Sequence, residues 1–338
     1  MPRASPPLIA SFVAAVVGMM PATARADDFY KGKTISIIVG GSPGGGYGTY
    51  ARAVARFLPD HIPGHPAVVV QSMPGAGNLI PIRALNTSQP RDGTVMAELN
   101  SGVLIQSIVQ PEIMNVDFRK FAWIGVGAPI FFVCYGFGPN GVSTWDDLMH
   151  RKQFIVGSSG KGSLSYSGSA ALREVFGAPV RIVVGYPGSA EVRLAIERGE
   201  LEGDCGDLSS IPAGWLRDGK AHLFVRFTRE RPPGMPESAH FVEDFAATQD
   251  QKEVFRVLDV ANELGRAFLM SPDVPANLTA VMRKAFADTM KDPGFLAEAE
   301  KELLPVQPLG GEAAARIVAD MLKISPAVAA KVKKIFYD

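Results

Sequence analysis

Short apolar runs and amphipathic stretches alternate along most of the chain. The apolar runs are rich in β-branched residues and end near glycines, which is typical of buried strands. The stretches between them carry apolar residues at helical spacing, as Ala51, Val54 and Leu58 do. The pattern predicts strands at 34–39, 67–70, 94–99, 154–156, 180–184 and 203–206. It predicts helices at 50–58, 78–85, 103–109, 163–176 and 190–198.

Repeated strand–helix units predict an α/β fold, because strands joined through helices usually pair in parallel. Two extended apolar segments, 131–135 and 222–227, are each followed by a proline-containing stretch and are predicted to cross between two lobes. The chain after residue 227 is predicted to form helices at 251–260, 275–290, 311–321 and 326–336. The predicted division puts residues 27–132 and 227–338 in the first lobe and residues 133–226 in the second.

The first 26 residues have the features of an export signal. Arg3 precedes an apolar run over 8–20, and Ala24-Arg25-Ala26 has the small-residue pattern that signal peptidases cut. The run is shorter than the roughly 20 residues that span a bilayer. A buried N-terminal helix or a membrane anchor is the alternative interpretation. We predict cleavage after Ala26 and a mature chain in an exported compartment.

Composition argues against several classes of protein. Of 338 residues, 47% are hydrophobic and 20% are charged, which is typical of a folded chain rather than a disordered one. Lys and Arg number 34, as do Asp and Glu, so the chain lacks the basic excess of most nucleic-acid-binding proteins. The five histidines have no metal-ligand spacing, and no dinucleotide or phosphate-loop motif has the required context. We expect no metal, no cofactor and no nucleic-acid partner.

The sequence contains two cysteines, Cys134 and Cys205, which fall in or near the predicted second lobe. In an oxidising compartment they can pair only if their Cα atoms lie within about 7 Å of each other. The sequence does not give that distance. Free, buried thiols are the preferred prediction, and a disulfide is the alternative.

Four predicted strand-to-helix joints are rich in glycine, at 40–48, 73–78, 157–163 and 185–189. Glycine lets the backbone approach a ligand closely, and the helix N-terminus that follows offers N–H groups and a partial positive charge. Such a joint can hold an anion without a basic side chain. A single glycine-rich loop is explained by a tight turn alone. Four together, two per predicted lobe, favour an anion-binding cleft at the carboxyl ends of the strands.

An ordered set of short motifs covers nearly all of the chain after residue 26. The motifs are Ile37-Ile38-Val39, Ser42-Pro43-Gly44-Gly45-Gly46, Pro74-Gly75-Ala76-Gly77-Asn78, Arg91-Asp92-Gly93-Thr94, 157–163, 184–189, Arg198-Gly199-Glu200 and Gly265-Arg266-Ala267-Phe268-Leu269. The set resembles that of the Bug (TctC-type) receptors, the periplasmic solute-binding components of tripartite tricarboxylate transporters. The resemblance implies a two-lobed α/β fold that closes like a flytrap, and we expect the protein to be a monomer. It also implies a carboxylate ligand held largely by backbone amides, small hydroxyls and bridging waters.

The joints and the resemblance together predict ligand-binding residues on both lobes. The first lobe would supply Ser42, Gly45, Gly46, Tyr47, Gly48, Ala76, Asn78 and Ser101. The second lobe would supply Ser158, Gly162, Ser163, Tyr186 and Asp207. Asp207 would accept a hydrogen bond from the ligand or the opposite lobe, or would cap the helix that follows it. The two tyrosines have a second interpretation, as packing residues with a wet tip.

Gly48 departs from the pattern that the resemblance implies, in which an aspartate commonly stands two residues after the glycine triplet. A lost carboxylate would remove a hydrogen-bond acceptor from the pocket and relieve repulsion against an anion. One hypothesis is a shifted preference, towards a ligand without an ammonium group at that point. The alternative is that the residue only caps the helix, for which glycine is acceptable.

We predict a solute-binding protein that captures a small organic carboxylate and delivers it to an integral-membrane transporter. The ligand class includes di- and tricarboxylates, aromatic acids and amino acids. One alternative is an exported enzyme with an acid–base pair such as Asp204 and Asp207, which lie three residues apart on a predicted turn. Another is a receptor that feeds a sensor kinase.

Overall fold

The computed structural model describes Met1, residues 29–232 and residues 235–337. In these residues the chain forms two six-stranded sheets with helices packed around them, as the predicted α/β fold requires. Apart from Met1, the predicted signal peptide lies outside the described residues. No described helix is both long enough and apolar enough to cross a membrane.

The first sheet is parallel on one side and antiparallel on the other. Its strands are β1 (Thr34–Val39), β2 (Ala67–Ser72), β3 (Val95–Leu99), β4 (Ala122–Val126), β11 (Ala267–Met270) and β12 (Leu309–Gly310). They lie in the order β12-β4-β11-β3-β1-β2, with β1 parallel to β2 and β3, and β11 antiparallel to β3 and β4. The sequence pattern did not predict β4 or β11, because such short apolar runs fit a buried helix equally well, and it did not predict β12, which has only two residues.

The second sheet is parallel except for one strand. Its strands are β5 (Phe132–Phe137), β6 (Phe154–Ser158), β7 (Val180–Val184), β8 (Gly203–Asp207), β9 (Ala221–Arg226) and β10 (His240–Phe241). They lie in the order β10-β9-β5-β8-β6-β7, and β5 runs antiparallel to both of its neighbours. The carboxyl ends of β6, β7 and β8 therefore meet at one edge.

Helices follow most of the strands. They are α1 (Gly46–Phe57), α2 (Leu79–Thr87), α3 (Gly102–Val109), α4 (Pro111–Met114), α5 (Trp145–His150), α6 (Leu164–Phe176), α7 (Ser189–Glu197), α8 (Ala213–Arg217), α9 (Gln249–Glu263), α10 (Ala276–Thr289), α11 (Pro293–Lys301), α12 (Gly311–Met321) and α13 (Pro326–Phe336). Short 3₁₀ turns occupy 58–61, 76–78, 118–120, 208–210 and 242–245. α1 is amphipathic, because Tyr50, Ala51 and Val54 are fully buried on one of its faces.

The chain passes from the first sheet to the second between β4 and β5, close to the predicted crossover at 131–135. The chain returns to the first sheet later than the predicted lobe boundary at residue 227. Residues 240–241 still extend the second sheet as β10, and the next strand of the first sheet is β11. A two-residue strand on a sheet edge leaves no periodic signal in the sequence, which explains the difference.

Two helices join the lobes through apolar packing. α9 and α13 each contact two helices from different lobes. These are α3, which follows β3 of the first sheet, and α6, which follows β6 of the second sheet. A continuous cluster of buried apolar residues runs from Leu99 in the first sheet to Phe154 and Phe224 in the second. The lobes therefore share a hydrophobic core near these helices.

Cys134 and Cys205 form a disulfide, so the preferred prediction of free thiols is wrong. The antiparallel register of β5 and β8 sets the two residues directly opposite each other, with Cα atoms 4.0 Å apart. The pairing depends on strand neighbours that are 71 residues apart in sequence, which is why the cysteine positions alone did not reveal it.

Candidate ligand-binding site

A cavity of about 90 Å³ lies between the two lobes, where helix N-termini from both sheets converge. α1 follows β1, α6 follows β6 and α7 follows β7, and each of these helices begins at the cavity. Residues from all four predicted glycine-rich joints contribute to the lining, together with Asp204 and Gly206 of β8 and Arg266 just before β11. The cavity therefore has walls from both lobes.

Three serine hydroxyls form a cluster at the N-terminus of α6. Ser158 Oγ lies 2.9 Å from Ser163 Oγ and 3.2 Å from Ser165 Oγ, and the last two oxygens are 3.0 Å apart. Ser163 is also the N-cap of α6 and accepts a hydrogen bond from the Tyr166 N–H. Hydroxyls beside a helix N-terminus are suited to a carboxylate, because they donate hydrogen bonds within a region of positive partial charge.

The lobes touch each other beside this cavity. The Gly46 N–H of the first lobe donates to Ser189 Oγ of the second at 3.4 Å. Arg193 Nη2 reaches back from α7 to the Gly44 carbonyl oxygen at 3.1 Å. The backbone at Gly44 is so close to α7 that a Cβ atom there would lie 3.5 Å from the Ala190 Cβ. The structure thus brings both walls within reach of one small molecule.

Several main-chain donors at the joints already have partners within the chain. The Gly45 N–H donates to the Ser42 carbonyl, and the Ser163 N–H donates to the Gly160 carbonyl. The Leu164 N–H points to Asn100 Oδ1 at 3.4 Å. These amides serve turns and caps, and the Ser163 hydroxyl is engaged in the same way, since it donates to the Gly160 carbonyl oxygen at 2.7 Å. The buried Ser42 hydroxyl, by contrast, has no hydrogen-bond partner among the described residues.

A buried arginine connects the lobes at one end of the cavity. The guanidinium of Arg266 donates from Nη2 to the Asp207 carboxylate and, at 3.1 Å, to Ser209 Oγ, both in the second lobe. Glu98 of β3 lies behind it, with Oε1 3.8 Å from Nη1. The Tyr47 ring stacks on the guanidinium at 4.5 Å from its centroid. Arg266 and the Glu98 side chain are fully buried.

Burial changes the acid–base behaviour of this group of residues. Desolvation raises the pKa of Glu98 well above its usual value, although Arg266 partly opposes the change. Desolvation also raises the pKa of Asp204 to about 7, against the opposing effects of the Cys205 N–H and the positive charge of Arg193. For Arg266, burial alone would lower the pKa, but the Asp207 and Glu98 charges outweigh it and raise the pKa. The arginine therefore stays charged.

The structure brings together eight of the thirteen predicted binding residues at the cavity wall. These are Ser42, Gly45, Gly46, Tyr47, Asn78, Ser158, Ser163 and Asp207. Asp207 has two of its predicted roles at the same time. It caps the 3₁₀ turn at 208–210, and its carboxylate accepts a hydrogen bond from Arg266 of the opposite lobe. Five predicted residues lie off the wall: Gly48, Ala76, Ser101, Gly162 and Tyr186.

Gly48 is explained by close packing rather than by ligand preference. It is buried in the first turn of α1, and a Cβ atom there would lie 2.5 Å from the Pro43 carbonyl oxygen and 2.7 Å from that of Ser42. Such distances leave no room for a side chain without movement of the backbone. An aspartate does not fit this position in the present chain, so the hypothesis of a lost pocket carboxylate is not supported.

The other four residues have structural surroundings of their own. A Cβ at Gly77 would lie 2.7 Å from the Gly162 nitrogen, so the loops that carry Ala76 and Gly162 pack directly on each other. Ser101 is fully buried just before α3. Tyr186 packs against an apolar cluster of the second lobe, in agreement with its alternative role as a packing residue.

Sequence reasoning missed several polar residues at or beside this site, among them Ser165 of the hydroxyl cluster, Ser189 and three charged residues. Arg266 stands within one of the family-like motifs, yet no role followed from its position. Glu98 is a lone acid in the otherwise apolar strand β3, which is a usable signal because unpaired charges are rarely buried. Asp204 was considered only in the alternative of an enzyme.

No protein-family model matches the chain, but individual proteins and solved structures are similar to it. The chain is similar to the UPF0065 protein in the TAR-I ttuE-ttuC′ intergenic region of Agrobacterium vitis, with 21% identity over 280 residues, or 81% of this chain and 76% of that protein. Its fold is similar to the periplasmic binding protein BugD, with a TM-score of 0.74 and 18% identity over 90% of this chain and 98% of that one.

A second structural neighbour is MatC from Rhodopseudomonas palustris, which was solved with bound malate. The TM-score is 0.70 and the identity 15%, over 89% of this chain and 98% of that one. The neighbours thus have the two-lobed fold of periplasmic binding proteins, and they include Bug-type and TctC-type proteins. The fold that the sequence resemblance implied is confirmed.

Proposed function

We propose that this chain is an exported solute-binding protein of the Bug (TctC-type) kind. It captures a small organic carboxylate between its lobes and delivers it to a membrane transporter. The observation that carries the proposal is the interlobe cavity, in which the hydroxyl cluster of Ser158, Ser163 and Ser165 lies at the N-terminus of α6 and faces a wall from the other lobe.

Binding follows from the chemistry of these walls. A carboxylate accepts hydrogen bonds from the serine hydroxyls in place of the acceptors that they have within the chain, and it gains from the partial positive charge at the start of α6. Groups at the starts of α1 and α7 belong to opposite lobes, so a ligand that contacts both stabilises the closed arrangement. A membrane partner can then recognise that arrangement. The malate-bound neighbour supports a ligand of this class, and the signal-like first 26 residues support export to the periplasm.

The alternative of an enzyme has less support. Asp204 and Asp207 both reach the cavity, but the Asp207 carboxylate already accepts hydrogen bonds from Arg266 and Ser209. The described histidines contribute nothing to the lining. We therefore assign the site a binding role without catalysis.

A thermal-shift screen over organic acids, followed by titration calorimetry, tests the proposal. A ligand at a hundredfold excess over its Kd stabilises the folded state by about 2.7 kcal/mol, so a true ligand raises the melting temperature clearly. The variant Ser163→Ala removes a cavity hydroxyl and should weaken binding of the selected acid about tenfold.

The matched control is Ser325→Ala, because Ser325 is also an N-cap serine, at the start of α13, and does not line the cavity. Both variants lose a helix cap and about 1 kcal/mol of stability. Only Ser163→Ala should lower the ligand affinity. The proposal is wrong if no organic acid shifts the melting temperature, or if turnover of a bound acid is detected.

A further inference from the structure

Asp204 contributes a free carboxylate oxygen to the cavity wall. Its side chain is 5% exposed, and its Oδ1 accepts a hydrogen bond from the Cys205 N–H at 2.9 Å. The other oxygen, Oδ2, lies on the same face of β8 as Gly206, where a Cβ atom built on Gly206 would be 3.3 Å away from it. No side chain or backbone group in the described part of the chain donates a hydrogen bond to Oδ2.

The positive charges nearby are already engaged. Arg266 is the only basic side chain of the described residues that lines the cavity, and it is paired with Asp207 and backed by Glu98. Arg193 of α7 donates to the carbonyl oxygens of Ser210 and Gly44 at 2.8 and 3.1 Å. Both guanidinium groups thus have acceptors within the protein, and Arg193 does not line the cavity.

Strand β5 adds no cation on the remaining side. Tyr135 is paired opposite Asp204 in the sheet, and burial raises the pKa of its hydroxyl, so it stays neutral. Apart from the Tyr47 hydroxyl, the ionisable side chains on the described wall are thus one arginine and two aspartates. The hydroxyl cluster at α6 groups three donors for an anion on the described wall, and the Ser42 hydroxyl, which has no hydrogen-bond partner in the described part of the chain, lies on the wall of the other lobe.

On the basis of the proposed function, we infer that the ligand carries one carboxylate and, at its other end, an N–H or O–H donor that binds Asp204. Asp204 is then the residue that determines specificity. The carboxylate lies at the serine cluster, and a carboxamide, amine or hydroxyl donates to Asp204 Oδ2. A dicarboxylate is disfavoured, because its second carboxylate would face an ionised Asp204 unless the two groups share a proton.

The test compares each dicarboxylate with its own half-amide, since the two have nearly the same shape. Succinate, glutarate and adipate, and the mono-amide of each, are titrated by calorimetry against the full protein at about pH 8 and about pH 6. We expect the half-amide to bind at least about tenfold more tightly at pH 8. The preference should shrink at pH 6, because Asp204 then takes up a proton and can donate to the second carboxylate.

The variant Asp204→Asn supplies the matching comparison, because its amide offers both a donor and an acceptor. It should bind both members of a pair within about threefold and lose the pH dependence of their ratio. Asp146→Asn is the control, since the Asp146 side chain is 88% exposed and lies outside the cavity. The pH comparison on the unchanged protein needs no variant, so it stands even if Asp204→Asn folds poorly.

The outcomes separate this inference from the function on which it rests. If a dicarboxylate binds more tightly than its half-amide at pH 8, the inference is overturned and the proposed function stands. If no organic acid binds at all, the proposed function itself fails. If the screen selects an acid outside this series, the same comparison is made between that acid and an amide of it.

Discussion

Arg266 is the residue at which the buried charges of the two lobes meet. It lies between Glu98 of the first lobe and Asp207 of the second, with the Tyr47 ring stacked on it. Taking one partner out of a buried ion pair commonly costs 3–5 kcal/mol, because the remaining charge stays buried. The same pair exists only while the lobes are together. Arg266 therefore contributes to lobe closure rather than acting as a surface anchor.

Asp204 should make the stability of the protein depend on pH. The folded protein keeps the Asp204 proton up to about pH 7, whereas the unfolded chain releases it near its usual value of about 3.9. Between these values the unfolded state binds fewer protons, so stability falls as the pH rises, by up to about 1.4 kcal/mol per pH unit for one group. Asp204→Asn removes this contribution.

Urea unfolding at several pH values between 4 and 8 measures the effect. The stability of Asp204→Asn relative to the unchanged protein should increase as the pH rises through this range. Asp146→Asn, on the exposed face of α5, should show a constant difference. A constant difference for Asp204→Asn as well would show that Asp204 titrates normally.

At the scale of elements, β8 connects the disulfide to the site. Cys205 is bonded to β5, while its neighbour Asp204 reaches the cavity and Asp207 ends the strand against Arg266. Successive side chains of a strand point to opposite faces, so the disulfide and Asp204 occupy different sides of the sheet. The bond therefore fixes the strand without occupying the cavity.

Replacing both cysteines by alanine should destabilise the protein by about 2–5 kcal/mol. The bond joins residues 71 apart in sequence, and closing so long a loop restricts the unfolded chain strongly. Urea unfolding with and without a strong reductant measures the loss, and reduced wild-type protein is the control that should approach the variant. A loss below about 0.5 kcal/mol would contradict the prediction.

Local patterns predicted much of the fold. The strand at 34–39 and the helices at 311–321 and 326–336 have the predicted bounds, because each has a clear periodicity and a glycine or proline at an end. β11 was missed, because its four apolar residues fit a buried helix as well as a strand. β10 was missed because a strand of two residues leaves no periodic signal.

The candidate site divides in the same way. Glycine-rich joints and N-cap serines are local features, and they correctly indicated the walls around Ser42, Ser158 and Ser163. The approach of Pro43 to Gly48 and the partner of Arg266 depend on where distant segments lie in the fold. Only the three-dimensional arrangement of these groups determines their roles.

At the scale of the whole molecule, the lobes are joined in two different ways. Near α9 and α13 they share a continuous apolar core, which strongly resists separation because opening it would expose hydrophobic surface to water. At the cavity they meet through polar contacts, which include the buried ion pair of Arg266 and Asp207 and the exposed contact between Arg193 and Gly44. Exposed polar contacts exchange readily with water. Movement of the lobes should therefore occur at the cavity, with the apolar core as its pivot.

The closeness of residue 44 to α7 offers a way to fasten the two halves covalently. Cysteines at positions 44 and 190 would have Cβ atoms 3.5 Å apart, a separation that a disulfide accommodates. Gly44→Cys combined with Ala190→Cys should give an oxidised protein that neither binds nor releases its solute, while each single variant behaves normally. Stopped-flow fluorescence should show that ligand binding is lost in the oxidised double variant and is restored by mild reduction. A solute trapped in the oxidised form would stay bound through purification and could then be identified by mass spectrometry.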